Sequence, residues 1–259
     1  MSKHRRLLVL YAAIALQLLS LPLRAQPTDT KASLLGIGSA NMLDTYLSPE
    51  QYSGTAVSLL SVNAREKDDS PWTRQTLWGL HVTTSSNRAN NGDYLGGRVD
   101  FQHDWLLPLP VSKARLTIGP SAAAAIGGLY NTRNGNNPAQ LQAGADIGIS
   151  ACAGKTISVF HKDFTVNYQA TLPLLGAAFT PQYGQSYYEI FTQGNYDHNV
   201  VMTTPFNALS LRHMLTVDFT IRRHTFRIGY RGDYRQREAN NLKFHDYAHM
   251  LVIGYIVKR

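Results

Sequence analysis

The sequence predicts an all-β protein, an up-and-down antiparallel transmembrane β-barrel of about ten strands, with eight or twelve as alternatives. Three observations carry that reading. Apolar and polar residues alternate at a period of two in segment after segment. Polar connections of two lengths alternate along the chain. Beyond the first 25 residues no apolar run reaches the length of a spanning helix, which needs about 20 residues. Composition excludes other classes: 44% apolar and 16% charged residues are wrong for disorder, and a single cysteine, Cys152, cannot support a disulfide scaffold.

Lys3, Arg5 and Arg6 precede an apolar stretch over residues 7–23, and Ala25 stands before Gln26. This is the layout of a cleavable secretory leader, so residues 1–25 are expected to be removed and residues 26–259 to form a single barrel domain. No cysteine lies near the junction, so a lipid anchor is not supported. The leader carries Lys3, Arg5, Arg6 and Arg24 and no acid, and its loss takes the formal net charge from +8 to +4. An exported chain of that charge, without a basic cluster beside stacking aromatics, is not expected to bind nucleic acid.

The strands follow in order. Residues 34–42 give the weakest signal, with Leu34, Gly36 and Gly38 leading into a polar connection at 44–53. Segments 54–65 and 73–84 come next, joined by a tight turn at 66–71. In 94–106, Leu95, Val99, Phe101 and Trp105 alternate with Arg98, Asp100, Gln102 and Asp104. In 114–130, Ile118, Ala122, Ala124 and Ile126 oppose Thr117, Gly119, Ser121 and Gly127. Segment 139–157 sets Ala143, Ala145, Ile147 and Ile149 against Gln142, Gly144, Asp146 and Ser150. After 164–176, a hairpin of 209–222 and 225–235 alternates Leu215, Val217 and Phe219 with Asp218, and Ile228 and Tyr230 with Arg227 and Arg231. Segment 244–257 closes the set. Tight connections are expected at 66–71, 108–113, 161–163 and 223–224, and longer ones at 85–92, 131–138, 180–205 and 236–243. That sorting by length matches a barrel with short periplasmic turns and longer outer loops. Trp105, Tyr130, Tyr234 and Tyr255 near strand ends suit the interfacial girdles. Periodicity alone leaves a soluble sandwich or lipocalin-like barrel open. Charged side chains sharing faces with Gly and Ala favour instead a crowded polar lumen.

LDTYLSPEQYSG at 43–54 and LPLLGAAFTPQYGQSYYEIF at 172–191 resemble recurrent segments of an uncharacterised bacterial outer-membrane barrel family, a domain of unknown function. The resemblance spans the mature chain. It implies an outer-membrane location, the lipid bilayer as partner, and no established substrate, activity or cofactor. Barrels of this kind end on an aromatic read by the assembly machinery; here Tyr255 is the candidate, followed by Ile256, Val257, Lys258 and Arg259.

Inside a barrel of this size side chains fill the bore. Arg98, Asp100, Asp104, Arg115, Asp146, Asp218, Arg227, Arg231 and Asp233 fall on the predicted inner face and are expected to form a lumen charge network, since buried charge persists only when paired. A turn at 223–224 would set Asp218 opposite Gly229 and diagonally beside Arg227 and Arg231. Tyr183, Tyr187, Tyr188, Phe191 and Tyr196 form an outer-loop aromatic cluster, expected to pack the loop over the mouth. A rival class is a lipid-modifying hydrolase or acyltransferase using Ser186, Glu189, Asp197, His198, His245, Asp246 or His249, although no nucleophile motif flanks Ser186. His245 with His249, and Asp197 with His198, are weak as metal ligands because the first pair reads as strand rather than helix. The expected role is therefore that of a small outer-membrane barrel, non-enzymatic, without metal or cofactor, with a narrow selective channel as a further alternative.

Overall fold

The computed structural model describes residues 29–66, 70–111 and 114–258; the predicted leader at 1–25 lies outside them. The strands are β1 (Thr30–Asp44), β2 (Ser48–Arg65), β3 (Thr73–Asn87), β4 (Asp93–Leu109), β5 (Arg115–Asn131), β6 (Ala139–Val159), β7 (Lys162–Phe179), β8 (Val200–Thr203), β9 (Leu211–Ile221), β10 (His224–Ala239) and β11 (Leu242–Lys258), with one short helix, α1 (Tyr187–Phe191). All pairings are antiparallel. β1 pairs with β11 and β6 with β7, so the sheet closes on itself.

The barrel has ten walls built from eleven strands. β7 pairs with β8 through residues 176–179 and with β9 through residues 164–171, so β8 and β9 are two parts of one wall interrupted at residues 204–210. Each of the ten predicted segments falls on a wall. The strands are longer than expected, however: apart from β8 and β9, they run from 15 to 21 residues. About 9–11 residues cross the hydrocarbon, so the walls project beyond a bilayer.

Long strands leave short connections, which corrects the expected sorting of loops. The predicted connection at 44–53 shrinks to 45–47, and that at 236–243 to the pair Asn240–Asn241. Both asparagines have positive φ, 53° and 60°, as a two-residue type I′ hairpin requires, and asparagine tolerates that conformation. A polar sequence that reads as a loop is therefore a tight turn. The connection at 180–210 is long, and it contains α1 and β8 rather than irregular chain alone. The β9–β10 turn lies at Arg222–Arg223, one residue earlier than predicted, with Ile221 paired to His224. Arg222 takes the positive φ, 56°, that this turn needs.

The outer face is the apolar one. Leu35, Ile37, Val57, Leu59, Trp78, Leu80, Val82, Ile126, Ile147, Leu251 and Ile253 are exposed, whereas Arg98, Asp100, Asp104, Arg231 and Asp233 are buried inside. Aliphatic rows outside and ionic rows inside are what a hydrocarbon solvent demands. At Gly38 and Gly254 the carbonyl of the neighbouring strand occupies the place a Cβ would take, so these glycines let the wall coil tightly. We expect Ile37→Arg, at the middle of β1, to cost about 2–4 kcal/mol in lipid vesicles; an unchanged denaturant midpoint would argue that this face meets water.

The lumen is not uniformly polar, which revises the sequence reading. Ala32, Leu34, Leu60, Val62, Leu77, Met214, Val252 and Ile256 form one buried apolar cluster, and Ala40, Met42, Leu47, Tyr52, Ala56, Tyr94, Leu129, Ala248 and Met250 another. Most of these residues come from the inner faces of β11, β1 and β2. Those strands alternate between two apolar faces, so a period-two test finds weak contrast there.

Candidate functional site

Arg98 is the hub of the bore. From β4 its Nε reaches Asp100 Oδ1 at 2.5 Å, Nη1 reaches Asp246 Oδ2 at 2.8 Å and Nη2 reaches Asp233 Oδ2 at 2.5 Å. The last two carboxylates stand on β11 and β10, with β3, β2 and β1 between β4 and β11 in the ring. The inner faces of β1 and β2 carry Gly36, Gly38, Ala40, Ala56 and Ser58, and these small side chains leave room for a guanidinium to cross. His81 Nε2 lies 2.6 Å from Asp100 Oδ2, and Arg231 approaches Asp233 at 3.4 Å and Asp100 at 3.7 Å. Charge-assisted bonds of this length are strong, and a planar guanidinium satisfies several oxygens at once.

The nine predicted lumen residues do not form one network. Arg98, Asp100, Arg231 and Asp233 meet in the cluster just described. Asp104, fully buried, accepts instead from amides: Gln102 Nε2 at 2.9 Å and 3.0 Å, and Gln169 Nε2 at 3.0 Å. Asp146 pairs with Arg212 at 2.6 Å. Asp218 sits directly opposite Arg227, not Gly229, and takes two bonds from it at 2.6 Å and 2.7 Å. The turn position corrects that register, and it leaves Arg231 away from Asp218. Arg115 pairs with Glu66 near one mouth, an acid the inner-face argument did not include.

Together these groups divide the bore. At the end where β1 begins lies a cavity of about 510 Å³, lined by Arg115, Cys152, Asp218 and Arg227 among others. Toward the other end is a cavity of about 100 Å³ beside Arg98, Asp146, Arg212, Asp233 and Arg235. Between them stand buried Asp104, Gln102, Thr171, Ser150, Arg231 and Asp233. Asp233 Oδ1 and Arg235 Nη1 are buried without a protein hydrogen bond. Among the described residues the one group with ligand atoms close enough to hold a metal is His81, Asp100 and Asp233, within 4.8 Å of one another. Arg98 and Arg231 already share those carboxylates, so the geometry is that of an ion-pair cluster.

The long connection packs over the other end through few residues. Tyr187 stacks with Phe191 at 5.7 Å between ring centroids and lies edge-on to Tyr46 at 5.9 Å. Its hydroxyl accepts from Leu141 N at 2.6 Å and donates to Gln140 Oε1 at 2.8 Å. Ile190 is fully buried, whereas Tyr183, Tyr188, Phe191 and Tyr196 are exposed. Of the five aromatics expected to seal the mouth, Tyr187 is the one that is not exposed: it lies half-buried against the rim.

The profile of a family described as "Protein of unknown function (DUF3316)" matches residues 6–259. The chain belongs to this DUF3316 family. No curated protein matches it. Among solved structures it is similar to an outer membrane channel from Pseudomonas putida F1, at 8% identity and TM-score 0.37, over 93% of this chain and 98% of that one. It is also similar to Ail, the attachment invasion locus protein of Yersinia pestis, solved with the heparin analogue sucrose octasulfate, at 11% identity and TM-score 0.25, over 88% and 99%. A third is OpdL of Pseudomonas aeruginosa, at 6% identity and TM-score 0.18, over 89% and 99%.

In this DUF3316 chain the residues weighed as a hydrolytic set are dispersed. Ser186 caps α1: its Oγ accepts from Glu189 N at 3.2 Å, and its own N–H donates to Glu189 Oε2 at 2.6 Å. Asp197 pairs with His198, both exposed. Asp246 points into the lumen at Arg98, while His245 bonds Asn41 and His249 bonds Tyr230 on the outer face. Adjacent residues of a strand face opposite sides, so Asp246 cannot serve His245. The cluster members that sequence reasoning missed, His81 and Asp246, were accessible by parity: each shares its face with Gly79 and Thr83, or with Ala248.

The hydrogen bonds from Ser186 hold the Glu189 carboxyl below its ordinary range. A depressed carboxyl contributes stability above its unfolded value of 4.5 and loses it as pH falls through the folded value. Hydrogen exchange in α1 is therefore expected to be flat near neutrality and to accelerate below the ordinary glutamate range. Ser186→Ala should raise it at all pH values, in line with a cap worth about 1 kcal/mol.

Proposed function

We propose that this DUF3316 protein is exported by the leader at 1–25 to a bacterial outer membrane and acts there as a non-enzymatic barrel with a closed bore. Its role is structural or binding, carried by its two ends and the surface-exposed segment at 180–210. One observation supports this reading above the others: the Arg98 cluster and the Asp104 amide layer fill the bore between the two cavities. The exposed aliphatic wall supports the membrane, and Tyr255, exposed near the end of β11, is the residue offered to the assembly machinery.

In planar bilayers the barrel is expected to show no steady open state; a stable conducting level would favour the narrow channel, a reading that the cavities on both sides of the cluster support. Cys152 lines the larger cavity, so a small charged thiol reagent should modify it from the end where β1 begins and not from the other. Equal labelling from both sides would also defeat the closed bore. Ser186→Ala and His245→Ala should leave phospholipid and lipid A profiles unchanged, and an altered profile would favour the lipid-modifying enzyme.

A further inference from the structure

One stretch of the outer wall breaks the apolar band. Lys31 on β1, Asn63 and Arg65 on β2, Arg74 and Thr76 on β3 and His103 on β4 line a groove of about 540 Å³ near the end where β1 begins. The register places Lys31 beside Asn63, Asn63 beside Thr76, and Arg65 directly opposite Arg74. Like charges directly opposite on one face are destabilising. Among the described residues none of Lys31, Arg65 and Arg74 makes an ion pair. One outward row further along come Ser33, Ser61 and Trp78, and the row after it carries Leu35, Leu59 and Leu80; Trp78 and those three leucines are exposed. The cations therefore stand at the polar border of the aliphatic wall. Trp72 flanks the groove, and Trp105 packs edge-on to His103 at 4.5 Å, as interfacial aromatics do.

We propose that this groove binds the phosphodiester of an anionic phospholipid in the leaflet at that end, its acyl chains lying on Leu35, Leu59 and Trp78. The inference rests on the membrane reading given above. Three cations facing outward attract a net negative headgroup, whereas a zwitterionic one brings an ammonium that they repel. A phosphate between Arg65 and Arg74 turns a repulsive cross-strand pair into two bidentate contacts. Thr76 and Asn63 add neutral donors beside it.

The full chain refolded into phosphatidylcholine vesicles containing a minor share of phosphatidylglycerol, then extracted in mild detergent, is tested by native mass spectrometry of retained lipids. Retained phosphatidylglycerol is expected in excess of its share in the vesicle. Neutralising each cation should lower that excess on the order of fivefold, so K31Q/R65Q/R74Q abolishes it while R65K/R74K keeps part. Heat-modifiable migration on gels reports folding, and R74Q alone serves if the triple variant does not fold. A barrel that inserts but shows no preference, or a preference that the triple variant keeps, overturns the groove alone. Complete displacement by inorganic phosphate would make it a free-anion site and overturn the lipid assignment. A preference that emerges only in D68N/D69N, between β2 and β3 in the sequence, would mean that the cations are compensated from within the chain, and would overturn the groove as well. A barrel that inserts into neither lipid overturns the groove together with the membrane reading.

Discussion

Arg98→Ala is expected to destabilise the barrel by about 3–5 kcal/mol, the cost of removing one partner from a buried charge cluster. The residue is 8% exposed and serves three carboxylates on three strands. Without it Asp100, Asp233 and Asp246 face one another with Arg231 and Arg235 as the neighbouring cations, and neither reaches Asp246 in a hydrogen bond among those described. Arg98→Lys should recover less than half of the loss, because an ammonium is a point charge and cannot span the three oxygens that a planar fork does. Adding Asp246→Asn and Asp233→Asn to Arg98→Ala should restore part of it by removing the stranded charge. Urea midpoints in lipid vesicles, followed by tryptophan fluorescence, measure all three. A midpoint for Arg98→Ala within about 1 kcal/mol of the parent would mean that the cluster contributes no more than a surface pair does.

Tyr94→Ala comes second, at about 3–5 kcal/mol, the range for truncating a buried aromatic ring. Tyr94 has no exposed surface, stacks on Tyr52 with ring centroids 3.7 Å apart, and donates its hydroxyl to Asp44 O at 3.2 Å. Tyr52 in turn accepts from Asn131 at 3.3 Å. The pair ties β2, β4 and β5 together over the apolar side of the lumen, beside Met42, Leu47 and Leu129. Tyr94→Phe keeps the ring and forfeits one neutral hydrogen bond, so its cost should be about 1 kcal/mol. Similar losses for the two variants would show that the stack adds nothing, and that the hydroxyl alone matters.

Both predictions concern residues whose facing is legible in the sequence and whose partners are not. Tyr94 and Arg98 lie on the even, inward positions of one alternating segment. Nothing in that segment says that Tyr94 meets Tyr52, or that Arg98 meets Asp246, 148 residues away. Within the hairpin of β9 and β10 the effect of a small error is visible. A turn one residue off moves the partner of Asp218 from Gly229 to Arg227, which changes a diagonal neighbour into a bidentate ion pair. The apolar inner faces of β1, β2 and β11 were hidden for a different reason: where both faces are apolar, alternation of hydropathy carries no signal. In the outer segment the SYYE run at 186–189 has the pattern of a capping box, a local signal that the reading of 180–205 as a loop passed over, and nothing in the sequence distinguishes Tyr187 from the aromatics that remain exposed.

By itself the sequence determined that this chain is built of about ten antiparallel strands with an aliphatic and a polar face, because alternation is imposed residue by residue by the strand backbone and turns are read within a few positions. Tertiary structure alone decided which charges meet across the bore, how long the connections are, and that one side of the lumen is greasy. Those depend on the stagger of each strand against the next, added around a closed ring, where a shift at any single turn moves every contact on the far side.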